Sequence, residues 1–139
     1  MPEPVIACLD LEGVLVPEIW VNVAAKTGIE ELRLTTRDEP DYDRLMRGRL
    51  AILERKQLTL PDIQAVIAGI QPLEGAREFL DWLRARAQVL ILSDTFTEFA
   101  QPLMAQLGYP CLFCNSLTVD GKGRILDYTL RIKDGKRKA

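Results

Sequence analysis

The chain has 139 residues, enough for one ordinary domain with a core of its own. Apolar residues make up 47% and charged residues 27%, with a net charge of −2, so no broad basic surface points to nucleic acid. Histidine is absent, which excludes His-bearing zinc sites, Ser-His-Asp triads and Cys-His dyads.

Val5–Leu9 is a short continuous apolar run, the pattern of a strand buried on both faces near the centre of a parallel sheet. Asp10 and Glu12 interrupt it too early for a signal peptide, and Gly13 marks a turn. Glu18–Thr27 reads as a helix with Ile19, Val23 and Ala24 on one side. Thr35–Tyr42 is a polar loop containing Pro40, and Asp41 or Asp43 caps the next helix, which runs to about Lys56. Pro61–Ile70 is a helix with proline in its first turn, closed by Gln71-Pro72. Leu73–Arg86 is amphipathic, with Leu73, Ala76, Phe79, Leu80 and Leu83 at helical spacing. Gln88–Leu92 is a second buried strand, ending at Ser93-Asp94-Thr95. Thr97–Leu107 is helical and Gly108 stops it. Cys111–Phe113 begins a third strand-like run, and Thr118–Leu126 reads as a hairpin turning at Asp120-Gly121. Cys111 and Cys114 have CxxC spacing but no second pair to complete a zinc site, so two buried strand thiols are expected. A short basic tail holding Lys133 and Lys136 ends the chain. No stretch reaches the roughly 20 apolar residues of a membrane span, and the expected setting is the cytoplasm.

Strands alternating with helices predict an α/β fold built on a parallel sheet. The block between the first two strands is too long for one crossover helix. Residues 16–71 are therefore expected to form a small helical cap, with 1–15 and 72–139 as the α/β core.

Ligands of open α/β sheets bind beyond the carboxyl ends of the strands. Asp10 and Glu12 follow the first strand there, and Ser93, Asp94 and Thr95 follow the second. If the two strands are neighbours these groups converge, where ionised carboxylates call for a cation or a phosphate-binding partner. Asp10 and Ser93 as simple turn caps is the structural alternative.

Asp10-Leu-Glu12-Gly-Val resembles the first motif of the haloacid dehalogenase (HAD) superfamily, usually Asp-x-Asp-Gly-Thr after the first strand. Leu-Ser93-Asp-Thr resembles its second motif, a Ser or Thr after a buried strand, and "PLEGAREFLDWL" resembles the helix leading into it. "CLDLEGVLVPEIW" and "ILSDTF" are most similar to the phosphoserine phosphatase group, in particular its bifunctional phosphoserine phosphatase/homoserine kinase branch, which carries Glu at the second acidic position. The resemblance covers essentially the whole chain. It implies a HAD-like Rossmannoid sheet with a helical cap inserted after the first strand.

The resemblance implies a mechanism. Asp10 attacks phosphorus to form an aspartyl-phosphate. Glu12 protonates the leaving oxygen and then takes a proton from water. Asp10 and the Glu12 backbone carbonyl hold Mg²⁺. Ser93 donates to a phosphoryl oxygen, with Asp94 beside it on the substrate side. A lysine neutralises the phosphoryl charge; Lys136 best matches the third motif, with Lys133 as the alternative.

On the helix after the polar loop, Tyr42, Leu45, Met46, Arg49, Ile52 and Leu53 share one face. Arg49 sits inside this apolar stripe, either snorkelling at its rim or binding a substrate carboxylate bidentately. The resemblance implies the second role, with Tyr42 as the accompanying aromatic and Glu18 as the acid for the substrate ammonium. The implied substrate is a small phosphorylated amino acid, phosphoserine. Trp20 and Trp82 are expected to be packing residues.

The family's fourth motif, a Gly-Asp-x-x-x-Asp-type segment with further metal ligands after a later strand, has no match after Lys136. The sheet is thus expected to be incomplete, with Val5–Leu9 left at an open edge. Two readings stand beside phosphatase chemistry: a non-catalytic relative that binds phosphate or a partner, and phosphotransfer to homoserine. Oligomeric state is not legible.

Overall fold

The computed structural model describes residues 3–131. Four strands form one sheet in the order β1 (Ile6–Leu9), β2 (Gln88–Phe96), β3 (Cys111–Val119), β4 (Ile125–Thr129). β1, β2 and β3 run parallel; β4 returns antiparallel beside β3 through the Asp120–Gly123 turn. Ala7 pairs with Val89, and Cys8, Leu90 and Cys111 stand side by side across the sheet. The two acidic and hydroxyl-bearing strand ends are therefore neighbours, as the α/β pattern predicts.

Helices α1 (Ile19–Thr27), α2 (Tyr42–Arg55) and α3 (Leu60–Ala68) occupy the segment between β1 and β2. A 3₁₀ turn at Glu30–Arg33, which the sequence pattern did not signal, follows α1 and buries Leu32. Asp41, not Asp43, caps α2 by accepting the Arg44 N–H at 3.2 Å. α3 opens on a capping box in which Asp62 accepts from both the N–H and the hydroxyl of Thr59. Then α4 (Ala76–Arg84) precedes β2 and α5 (Thr97–Met104) follows it. Gly108, at φ 76°, ends the 3₁₀ turn after α5 in the left-handed conformation that glycine adopts without strain.

One hydrophobic cluster joins these layers. Ile19, Val23, Met46, Leu53, Ile63 and Ile67 from the inserted helices meet Leu80, Ile91, Phe96, Phe99 and Leu103 of the sheet side. The sheet's inner face carries Ala7, Leu9, Val89, Ile91 and Leu112 into this core. α2 and the hairpin are tied together by the Arg47–Asp127 ion pair at 2.9 Å, the Tyr128–Asp43 hydrogen bond and the Tyr42–Tyr128 ring contact.

Three expectations need correction. β1 lies at the sheet edge in the described residues, as the incomplete sheet predicts, but Val5 and Ile6 are 61% and 62% exposed, where the apolar run predicts burial on both faces. An apolar run reports hydrophobicity, not the number of neighbours a strand will find. Helix α4 is shorter than Leu73–Arg86, and Leu73 and Phe79 point outward, Phe79 stacking on the exposed Trp82. The cysteines are not two buried thiols: Cys114 is buried but Cys111 is exposed, because residues three apart on a strand face opposite sides. No helix among the described residues is long and apolar enough to cross a membrane.

Candidate active site

The chain leaving β1 is folded back at once. Gly13, at φ 79°, allows its N–H to reach Val16 O at 2.7 Å, and Leu15 and Val16 both donate to Leu11 O. Leu11 is fully buried and anchors the turn. Asp10 and Glu12, on either side of this anchor, are thereby held at the sheet's carboxyl end. Asp10 Oδ1 accepts the Leu11 N–H at 2.8 Å. Glu12 Oε2 accepts the Ile19 N–H at 3.1 Å, at the start of α1. A helix N-terminus favours an anion, but burial is the stronger influence and pushes the Glu12 carboxyl above its ordinary value, assisted by nearby Glu18 and Asp10.

The end of β2 is irregular. Its register with β3 shifts between Leu92 and Phe96, which frees Ser93, Asp94 and Thr95 from regular pairing. Ser93 is buried and its Oγ accepts the Thr95 N–H at 3.1 Å. Asn115 on β3 braces the same turn: Nδ2 donates to Asp94 O at 3.1 Å, and Oδ1 accepts the Arg131 N–H at 2.9 Å.

From the inserted helices, α2 presents Tyr42 and Arg49 on one face, two turns apart. Arg49 is only 7% exposed. Nη2 donates to Leu34 O at 2.8 Å and Nη1 lies 3.7 Å from Met46 Sδ. Nε is buried without a hydrogen-bond partner among the described residues. The guanidinium carbon stands 4.6 Å over the Trp20 ring. Burial lowers Arg49 to about 10, still cationic at neutral pH, and raises the Tyr42 hydroxyl to about 12.

Asp10, Glu12, Glu18, Tyr42, Arg49, Ser93 and Asp94 all line one cavity of about 670 Å³. Lys136 and its alternative Lys133 lie outside the described residues. Trp20, Thr35, Thr36, Arg37, Thr95 and Leu130 complete the wall. Of these, Trp20 packs against the core and Phe99 as expected, but also faces the cavity. Beside the buried Ile19 its ring reads as core, and only the fold reveals Arg49 against it. The Thr35–Arg37 loop gave no signal beyond its position just before α2.

The donors at the Asp10–Glu12 turn are hard oxygens, which suit a cation such as Mg²⁺ better than a soft metal. Among the described residues, however, no cluster of three metal-ligating side chains forms. The Asp10 carboxylate and Glu12 carbonyl fit a hard cation in kind and would supply only part of its shell.

A family model described as haloacid dehalogenase-like hydrolase matches residues 6–127. The chain belongs to the haloacid dehalogenase-like hydrolases. It is 65% identical over 134 residues to a phosphoserine phosphatase of Pseudomonas syringae pv. tomato, covering 96% of this chain and 56% of that protein. It is 63% identical over 134 residues to the phosphoserine phosphatase ThrH of Pseudomonas aeruginosa, covering 96% of this chain and 65% of that one. The chain thus spans about three fifths of the length of these relatives. Its fold matches the crystal structure of a phosphoserine phosphatase in apo form with a TM-score of 0.72 at 24% identity, over 92% of this chain and 62% of the other. The HAD-like α/β fold with helices inserted after the first strand is therefore shared with these hydrolases.

Proposed function

We propose that this HAD-like chain carries the substrate-recognition and nucleophilic half-sites of a phosphoserine phosphatase-type hydrolase, acting through an aspartyl-phosphate. The observation carrying this reading is the meeting of Asp10, Glu12, Ser93 and Asp94 from two strand ends with the buried cation Arg49 across one cavity. The relatives' names point to the same substrate class.

In this reading an Asp10 carboxylate oxygen attacks phosphorus as the ester P–O bond breaks. Glu12, whose carboxyl burial pushes above its ordinary value, gives its proton to the departing serine oxygen. Water then attacks the aspartyl-phosphate, Glu12 takes its proton, and inorganic phosphate leaves with the Asp10 carboxylate restored. The Ser93 hydroxyl donates to a phosphoryl oxygen. Lys136 neutralises phosphoryl charge from the C-terminal side. Mg²⁺, held by Asp10 and the Glu12 carbonyl, would supply shielding between the attacking carboxylate and the phosphoryl oxygens. Arg49 takes the substrate carboxylate and Glu18 its ammonium, with Tyr42 forming the wall between. Residues 16–71 act as the cap that carries these contacts. The cytoplasm, where free phosphorylated amino acids occur, is the matching setting.

The test is phosphate release from phosphoserine with Mg²⁺, comparing the wild type with Asp10→Asn. The variant is expected to lose at least about 10³-fold in rate. Equal rates in both proteins, or no release by the wild type, would sink the reading.

A further inference from the structure

We propose that Trp20 is a specificity-determining positioning residue, whose indole face holds the Arg49 guanidinium ready for a substrate carboxylate. This rests on the carboxylate-binding role given to Arg49 above and identifies what makes that role possible.

A buried arginine needs a counter-charge, and the usual one is a carboxylate. Among the described residues no carboxylate forms an ion pair with Arg49. Besides the Leu34 carbonyl at 2.8 Å and the longer-range fields of Tyr42 and Glu12, it has the Trp20 ring, 4.6 Å from the guanidinium carbon. The two partners differ in what they leave free. A carboxylate engages the in-plane N–H groups, the same donors that a substrate carboxylate needs. An aromatic ring attracts the cation through the face of the guanidinium and leaves the in-plane donors available. In Arg49 one Nη is held by Leu34 O and the other makes only a weak, long contact with Met46 Sδ, while the buried Nε has no partner among the described residues, so no carboxylate of the chain occupies its in-plane edge.

Trp20 is itself braced. Its ring meets Phe99 edge-on at 5.3 Å, and Phe99 meets Phe96 edge-on at 5.6 Å, both phenylalanines being buried. Phe96 closes β2 just beyond Ser93-Asp94-Thr95. The aromatic chain therefore fixes Arg49, on an inserted helix, relative to the strand end bearing the phosphoryl-side groups. That separation must match the distance between carboxylate and phosphate in the substrate. Trp20 and Arg49 both face the cavity, so the pair acts at the ligand and not only within the core.

The test is equilibrium binding by calorimetry, in the Asp10→Asn background so that no turnover is required. The probes are phosphoserine and phosphoethanolamine, which keeps the phosphate and ammonium but lacks the carboxylate. Trp20→Leu is expected to weaken phosphoserine about tenfold and phosphoethanolamine less than about twofold, while Trp20→Phe, retaining a smaller ring face, weakens phosphoserine only about threefold. A purely structural role would weaken both ligands alike. Equal weakening of both, or no weakening of phosphoserine, overturns the proposal. If Trp20→Leu does not fold, Trp20→Phe alone decides: it should lose about threefold in preference for phosphoserine, and an unchanged preference overturns the proposal. Arg49→Ala in parallel separates the two claims. If it leaves the preference intact, the carboxylate reading of Arg49 has failed; if it removes the preference while Trp20→Leu does not, only the role of Trp20 has failed.

Discussion

Glu12 is the residue on which stability and chemistry conflict most directly. Burial raises its carboxyl above the ordinary value, so the folded chain holds the proton more tightly than the unfolded chain. The associated stability is fully present below the unfolded value, about 4.3. It is lost as pH rises through the higher folded value. Glu12→Gln mimics the protonated form and keeps an oxygen for the Ile19 N–H. In chelator, the variant should therefore be more stable than the wild type at neutral pH, by roughly 0.5–2 kcal/mol, the difference vanishing towards pH 4. Urea melts across that range provide the measurement. Phosphate release by the same variant should fall about 10²–10⁴-fold, the span of a lost general acid–base group. Arg49 carries a similar burden, a cation in a largely apolar place with one N–H unsatisfied. Arg49→Met should leave the chain as stable or up to about 3 kcal/mol more stable, since a buried charge gives way to an apolar side chain of similar volume. It should at the same time lose phosphoserine binding. A large fall in stability would mean that Arg49 is chiefly a structural strut.

At the scale of elements, the decisive joint lies between α3 and the hairpin. Leu60 N–H donates to Gly123 O at 2.7 Å, just where the Thr59–Asp62 box starts the helix. Gly123 has φ +82°, and a Cβ there would lie 3.1 Å from Pro61 Cδ and 3.5 Å from Thr59 Cβ. Both the backbone conformation and the proline ring oppose a side chain. Gly123→Ala should cost about 1–3 kcal/mol in chemical denaturation, more than the same change at Gly121, where a Cβ would meet open space. The capping box adds a pH dependence. Hydrogen bonds from Thr59 hold the Asp62 carboxyl below its ordinary value. Its contribution is therefore present above about pH 4 and declines as pH falls towards the lower folded value. Asp62→Asn should flatten that acid limb, as followed by circular dichroism. Some of this architecture was legible. The stripe through Tyr42, Met46, Arg49 and Leu53 carries helical periodicity, and the proline at the start of α3 marks its first turn. The joint itself was not, because a hydrogen bond between residues 60 and 123 leaves no local pattern.

For the whole molecule, the two strand-end motifs were readable because apolar runs and punctuating polar residues are local signals. Their convergence also followed from α/β topology. What stayed hidden depends on partners distant in sequence: the ring beneath Arg49, the Thr35–Arg37 loop at the cavity, and the exposure of β1 at its open edge. This last feature sets the behaviour of the isolated chain. Parallel sheets are ordinarily covered on both faces. Among the described residues the outer face presents Ile6, Cys8, Leu90, Leu92, Cys111 and Phe113 in adjacent registers, exposed or half-buried, beside a hydrogen-bonding edge of β1 that no described strand pairs. An apolar face and an open edge together favour association. The 139-residue chain should therefore form concentration-dependent oligomers and bind a hydrophobic dye. Ile6→Lys with Phe113→Lys should suppress both, as read by light scattering and dye fluorescence. Because Ile6 is 62% and Phe113 39% exposed, these lysines can keep their ammonium groups in water. The midpoint of thermal unfolding should then shift little, within the roughly 0.5 kcal/mol usual for surface changes. If the double variant instead unfolds while association persists, the outer face belongs to the folding core and association arises elsewhere on the molecule.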